Sequence, residues 1–274
     1  MRDGLAVAGL LFAGYLFVVT APSAQTVGFD AYSYWSVDPS MPYGLPVGAL
    51  GFFPYSPVAV RVFSLAAGLT WVQFWWLWSA VLVATLVWLG WRSTLLVLAF
   101  PPVAIELYHG NLNLLLAAAV ALGFRYPAAW AFAALTKLTP FVGVLWFAVR
   151  REWRSLGIAV GVSLAITVVS VALDGGVWGQ WLDKLVSSAG QPAVGPNVPI
   201  PLWLRLPAAV VLIAWGARTD RRWTVLVGSM LAEPVLWVAS FSMLAALPAL
   251  SRPELRERAP TRTRAGATML EATT

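Results

Sequence analysis

The chain has 274 residues, 59% hydrophobic and 11% charged, which is more apolar surface than a water-soluble core of that size can hide. Its formal net charge of +6 sits in short basic clusters between apolar runs, the pattern of cytoplasmic loops in a membrane protein rather than of a nucleic-acid-binding surface. With no cysteine and His109 as the only histidine, disulfides, thiol nucleophiles and histidine-based metal clusters are excluded, and neither metal nor cofactor is expected.

Runs such as 5–19 and 156–173 approach the roughly 20 residues that cross about 30 Å of hydrocarbon as a helix. The short alternating segments of a membrane β-barrel do not occur. The expected fold is therefore an all-α polytopic membrane protein with about ten transmembrane helices.

With Arg2 taken as cytoplasmic, a first helix over about 4–21 delivers the chain to the outer side, and the many spans that follow favour this over a cleaved signal peptide ending at Ala24. The outer loop 22–57 carries Asp30 and Asp38 and neither Lys nor Arg. Its prolines at 39, 42, 46, 54 and 57 argue against a span there. The piece 58–69, with Arg61 inside it, is too short to cross and is expected along the outer interface. A second helix over about 71–90 holds Trp71, Trp75, Trp76 and Trp78 at its outer end, where indole rings form a belt. A third, about 93–107, kinks at Pro101-Pro102 and ends at Glu106, Tyr108 and His109. A fourth, about 111–124, returns to Arg125.

The stretch 128–149 lies between Arg125 and Arg150-Arg151, so a single crossing would strand a basic cluster on the wrong face. Lys137-Leu138-Thr139-Pro140 resolves this, because proline removes a backbone donor and turns its predecessor out of the helix. Two short helices are expected to meet there at the outer face. A further helix over about 155–173 leads to the outer loop 174–200, where Trp178, Trp181, Leu182, Leu185 and Val186 share one face of an interfacial helix. Another spans about 202–217, and the stretch 224–250, flanked by Arg222 and Arg252, is expected to break at an outer tip, Glu233-Pro234. Residues 1–250 then form a single transmembrane domain, and 251–274 a basic, disordered cytoplasmic tail.

This topology gathers Asp30, Glu106, His109, Lys137 and Glu233 on one polar face. Asp30 has the character of a general base, against the alternative of a solvated loop acid. Lys137, beside a helix break at head-group depth, suits a phosphate, against a lysine that merely snorkels to the interface. Arg61, Lys184 and Arg205 are further candidates for the same anion. In His109-Gly110-Asn111-Leu112-Asn113 the amides suit sugar hydroxyls or a helix cap. Glu233 suits an acceptor or a basic partner, against simple packing polarity. The chain contains no P-loop, dinucleotide fingerprint, HExxH or GxSxG element, which favours a donor already resident in the membrane.

Four segments resemble the polyprenyl-phosphate-mannose-dependent mannosyltransferases of glycosyltransferase family 87, C-type enzymes known from actinobacteria. They are Asp30 followed by Tyr34, with Pro42-Tyr43 and Tyr55-Ser56-Pro57 downstream; Gly110-Asn111-Leu112-Asn113-Leu114-Leu115, like the family's Gly-Gln-x-Asn-Leu-Leu; Lys137-Leu138-Thr139-Pro140 followed by Arg150-Arg151-Glu152-Trp153-Arg154, like its Lys-x-Thr-Pro and Arg-Arg-x-Trp-Arg; and Glu233-Pro234 with Trp237, like its Ser-Pro-x-x-Trp. Ala239-Ser240 stands where a His-Tyr pair often follows that tryptophan. The resemblance implies a plasma-membrane glycosyltransferase that moves a sugar, mannose above all, from a polyprenyl phosphate to a lipid or glycan acceptor on the extracytoplasmic side. It makes Asp30 the catalytic base and places Lys137 at the donor phosphate, the anion for which Arg61 and Arg205 are the further candidates named above. Tyr34, His109, Asn111, Asn113 and Glu233 are the substrate contacts expected around them. A lipid-linked-sugar flippase and an inactive scaffold are the alternative readings.

Overall fold

Helix after helix follows from the apolar runs, and a computed structural model describes them over residues 2–24, 26–189, 191 and 195–256. Among the described residues the regular elements are helical, and extended pairing is limited to a bridge between Asn197 and Trp237. The chain begins with α1 (Asp3–Ala24). Two short helices come next, α2 (Phe29–Trp35) and α3 (Pro57–Ser64). The long α4 (Trp71–Leu98) follows; its start is fixed by a capping box in which Thr70 and Gln73 satisfy each other's backbone N–H, and it is sharply interrupted at Trp91, φ 49°. Then come α5 (Pro101–His109) and α6 (Asn113–Gly123), bent by 114° to one another.

The remaining helices are α7 (Trp130–Lys137), α8 (Thr139–Val149), α9 (Trp153–Leu173), α10 (Gly175–Ser188), α11 (Leu202–Thr219), α12 (Trp223–Leu231) and α13 (Val238–Leu250). Among the described residues four helices, α1, α4, α9 and α11, are long and apolar enough to cross a membrane, or five spans if the bent pair α5–α6 counts as one. The structure thus describes a polytopic membrane protein with fewer full spans than the ten expected. The physical reason is the breaks: an eight-residue helix such as α7 rises only about 12 Å, well short of the hydrocarbon thickness. Leu5, Leu11, Val18, Leu164, Val168 and Val211 stay exposed, as lipid-facing side chains do.

Contacts between helices set their direction. α5 runs alongside α1, with Gly9 against Ala99, the Phe17 and Tyr108 rings 5.8 Å apart, and Thr26 Oγ1 2.8 Å from the Tyr108 hydroxyl. The bend after His109 therefore lies at the same end as the loop that follows α1. α7 and α12 each finish at this end, where Lys137 meets Glu233. The arginines gather at the other end: Arg150 pairs with Asp220 at 3.0 Å, Arg222 donates to the carbonyl of Leu255, Arg125 to that of Glu254, and Arg252 to those of Trp88 and Leu89.

Those last contacts correct the expectation of a tail disordered from Ser251. Residues 251–256 are docked, with Leu255 buried, because the guanidinium of Arg252 reaches carbonyls that α4 leaves open where it breaks. The rest of the predicted tail, 257–274, lies outside the described residues.

The core has two parts. The larger joins Leu114, Val120, Trp130, Phe147, Ile213, Leu226 and Met243 between the helices. Packing there is tight enough that a Cβ on Gly143 would come within 2.1 Å of the Trp130 ring. The smaller, at the Asp30 end, is aromatic, with Tyr34, Phe53, Tyr55 and Phe74 at its centre. It is roofed by α10, whose Trp181 is buried and donates to the Pro54 carbonyl at 3.1 Å. On the predicted apolar face of α10, Leu182, Leu185 and Val186 remain exposed.

Candidate functional site

Gly110 ends α5 in the left-handed region, φ 70°, a conformation that favours glycine. A side chain there would also meet Ala31 Cβ at 2.7 Å and the Trp75 ring at 2.9 Å. This glycine lets the bend close directly onto α2, where Asp30 occupies the first turn. Asn111, the next residue, donates from Nδ2 to Asp30 Oδ2 at 2.8 Å and accepts from the Leu112 amide at 2.7 Å.

Beneath the bend lies Glu106, wholly buried. Its Oε1 accepts the backbone amides of Asn113 at 2.5 Å and Leu114 at 3.2 Å, and its Oε2 accepts Asn113 Nδ2 at 3.0 Å. It caps α6 from across the turn, supplying the acceptors that a helix start lacks. Asn113 then accepts from Lys137 Nζ at 2.5 Å, and the same nitrogen donates to Glu233 Oε2 at 2.9 Å. Ser240 Oγ donates to that oxygen at 2.8 Å. Glu233 is 1% exposed, yet its Oε1 has no hydrogen-bond partner.

One buried network thus runs Glu106, Asn113, Lys137, Glu233, Ser240, and the Asp30–Asn111 pair adjoins it through Leu112. Asp30 is half-buried, and Lys137 keeps 11% of its side-chain surface. Burial raises the Asp30 carboxyl above its ordinary pKa, against the lowering effects of the Asn111 hydrogen bond and of the His109 and Lys137 charges. A carboxylate lifted in this way is better matched to accepting a proton near neutral pH. His109, half-buried, packs its ring 5.2 Å from that of Tyr108.

Other predicted residues stand apart. Tyr34, one helical turn after Asp30 and so on the same side of α2, is a core residue, fully buried, stacked 4.6 Å from Phe63 and hydrogen-bonded to the Tyr55 hydroxyl at 3.1 Å. Arg61 lies on the exposed surface of α3, 3.9 Å from Asp174. Lys184 donates to the Leu45 carbonyl at 2.7 Å. Arg205 is buried and donates to the carbonyls of Ile200, Leu231, Glu233 and Pro234 at 2.5–3.0 Å. Four of its five N–H groups are committed to backbone, so it braces the Glu233-Pro234 break and is not placed to hold a phosphate. Asn111 and Asn113, expected at sugar hydroxyls, direct their amides at Asp30 and Glu106.

Two network members were not singled out as such from the sequence. Glu106 precedes its partner Asn113 by seven residues, and only the sharp Gly110 turn brings them together. Ser240 would have shown itself only through the return of the chain after Pro234.

Two concavities lie elsewhere. One, of about 240 Å³, is at the arginine end beside Trp146, Arg150 and Arg222, and an open apolar groove follows Pro207, Val211 and Trp215 on α11. Neither includes a residue of the acid–lysine network.

The fold and this network define a helical membrane protein that carries buried ionisable groups where irregular backbone occurs, an arrangement tolerated inside proteins at membrane depth and associated with function. The comparison of sequences says which. The model of glycosyltransferase family 87 matches residues 45–273, and the chain belongs to that family: it is a membrane glycosyltransferase. The match begins after Asp30. No curated protein and no solved structure matches the chain.

Proposed function

We propose that the protein transfers mannose from a polyprenyl phosphate to a lipid or glycan acceptor on the extracytoplasmic side of the plasma membrane. The observation that supports this best is the meeting of Asp30 and Lys137, 107 positions apart in a chain of 274, through Asn111, Leu112 and Asn113. A base and a cation so joined can serve the two ends of one displacement.

In this reading the acceptor hydroxyl gives its proton to the Asp30 carboxylate as its oxygen attacks the anomeric carbon. The bond from that carbon to the phosphate oxygen breaks, and the electron pair leaves with the polyprenyl phosphate. Lys137, which has a third N–H beyond those given to Asn113 and Glu233, offsets the charge that grows on the leaving phosphate. Asn111 positions the base, and the lipid carrier keeps both reactants at the depth of the network. Polarity favours this side, because the arginine clusters fall at the opposite end.

The test is direct. Purified protein with polyprenyl-phosphate mannose and total membrane lipid is expected to give a product heavier by one hexose, and Asp30→Asn to lower the rate by about 10²–10⁴-fold while the protein remains inserted and folded. Full activity in Asp30→Asn removes the base assignment. Absence of transfer with any polyprenyl-phosphate sugar removes the donor class.

A further inference from the structure

We propose that Glu233 reads the donor sugar, accepting the hydroxyl on the ring carbon next to the anomeric carbon through its unpartnered Oε1. The proposal rests on the polyprenyl-phosphate reading above and adds a selecting residue to it.

The carboxylate of Glu233 is held rigidly. Its Oε2 takes Lys137 Nζ at 2.9 Å and Ser240 Oγ at 2.8 Å. Its backbone carbonyl takes Arg205 Nη1 at 2.8 Å, and the Pro234 carbonyl takes Arg205 Nη2 at 3.0 Å. The side chain is 1% exposed, so Oε1 is neither solvated nor bonded to protein. A buried carboxylate oxygen in that state is unfavourable unless something supplies a donor. An ionised carboxylate only accepts, which excludes a phosphate oxygen at this position and admits a hydroxyl.

The spacing matches one hydroxyl in particular. Oε1 is separated by a single carbon from the oxygen that holds Lys137. In a sugar 1-phosphate, the hydroxyl nearest the phosphate is the one on the adjacent ring carbon. A donor whose phosphate meets the remaining N–H of Lys137 therefore offers that hydroxyl to Oε1. The lysine and the glutamate, already joined, would grip neighbouring groups of one ligand. Packing polarity alone accounts for Oε2 but leaves Oε1 unexplained.

The experiment compares polyprenyl-phosphate mannose with its 2-deoxy analogue in wild type, Glu233→Gln and Glu233→Ala. The ratio of kcat/KM for the two donors is the readout, since it does not depend on how much of a variant is folded. In Glu233→Gln, Lys137 requires the amide oxygen, so the NH₂ falls where Oε1 was and the acceptor is lost. The deoxy donor is intrinsically more labile, so the ratio is compared between proteins. Loss of a charge-assisted bond is expected to move it by about a hundredfold toward the deoxy donor in both variants. The same ratio is read from donor binding, as the Tm rise that each lipid gives, for variants that turn over slowly. A ratio unchanged within about twofold in both variants overturns the proposal while wild-type transfer leaves the glycosyltransferase reading intact. A wild type that transfers from neither donor overturns the polyprenyl-phosphate-mannose reading and this proposal with it.

Discussion

Replacing Glu106 by alanine removes the acceptors of three buried donors at once, the Asn113 and Leu114 amides and Asn113 Nδ2. Each buried donor left unmatched costs about 1–3 kcal/mol, and the lost helix cap overlaps with two of them. A destabilisation of about 3–5 kcal/mol follows, which for a chain of this size lowers Tm by roughly 10 °C. Glu106→Gln is the sharper perturbation, because the Asn113 amide must both donate to residue 106 and accept from Lys137. A glutamine whose oxygen still meets the backbone amides turns its own NH₂ toward the Asn113 NH₂. If Asn113 flips, its NH₂ then faces Lys137 instead. Either way one donor meets another, and Lys137 loses its place. The expected loss is about 2 kcal/mol in stability with at least about a tenfold fall in transfer. Thermal unfolding in detergent, followed by intrinsic tryptophan fluorescence, and the transfer assay measure the two effects separately. A Tm within about 2 °C of wild type for both variants would refute the capping role, and full activity in Glu106→Gln would refute the relay to Lys137.

Asn111→Leu removes a hydrogen bond that lowers the pKa of Asp30. Because the base works only when deprotonated, activity rises with pH through that pKa, and the variant's acid limb is expected at higher pH than wild type in a kcat–pH profile; an unmoved limb would detach Asp30 from the chemistry. Arg205→Lys cannot reach four carbonyls from one ammonium, so it is expected to lower stability by about 2–4 kcal/mol, read as a lower Tm. A raised KM at unchanged Tm would restore Arg205 as an anion ligand. Gly143→Ala places a methyl 2.1 Å from the Trp130 ring, and the overpacking is expected to cost about 2–3 kcal/mol, read as a lower Tm with the donor preference unaltered.

The sequence was most legible where charge and proline act together. Arg125 and Arg150-Arg151 around 128–149, and Arg222 with Arg252 around 224–250, require a return within each stretch, and Pro140 and Pro234 say where the helix must stop. The length of the resulting helices was less legible. α7 and α8 pack against each other, α8 also packs against α12, and neither is long enough to cross alone, so hydropathy overstated the number of full crossings. Side-chain roles depended on which partner the fold supplies. Arg205 is the clearest case: a guanidinium at the start of a span suits an anion equally well, and nothing in its neighbourhood announces the carbonyls of 231–234 beside it. Tyr34 follows the same logic: one turn after Asp30 on seven-residue α2, its ring is taken up by the aromatic core, whose Phe53, Tyr55 and Phe74 come from elsewhere in the chain.

What the breaks themselves require can be separated from what remains. Irregular backbone inside a membrane protein must find hydrogen bonds within the protein. Glu106 meets that need for the start of α6, and Arg205 meets it for the carbonyls around Pro234. Neither task uses Asp30, whose side chain is half-buried and bonded to Asn111, or the Lys137–Glu233 pair. A buried ion pair is weak as a source of stability, because the desolvation of both charges offsets their attraction. An apolar pair in their place would close the gap between α7 and the 232–237 turn with less penalty. The groups left over once the backbone is satisfied are a base, a cation with an N–H to give, and a carboxylate oxygen with nothing to accept. On the proposed function, those three are the complement of a hydroxyl, a phosphate and a sugar.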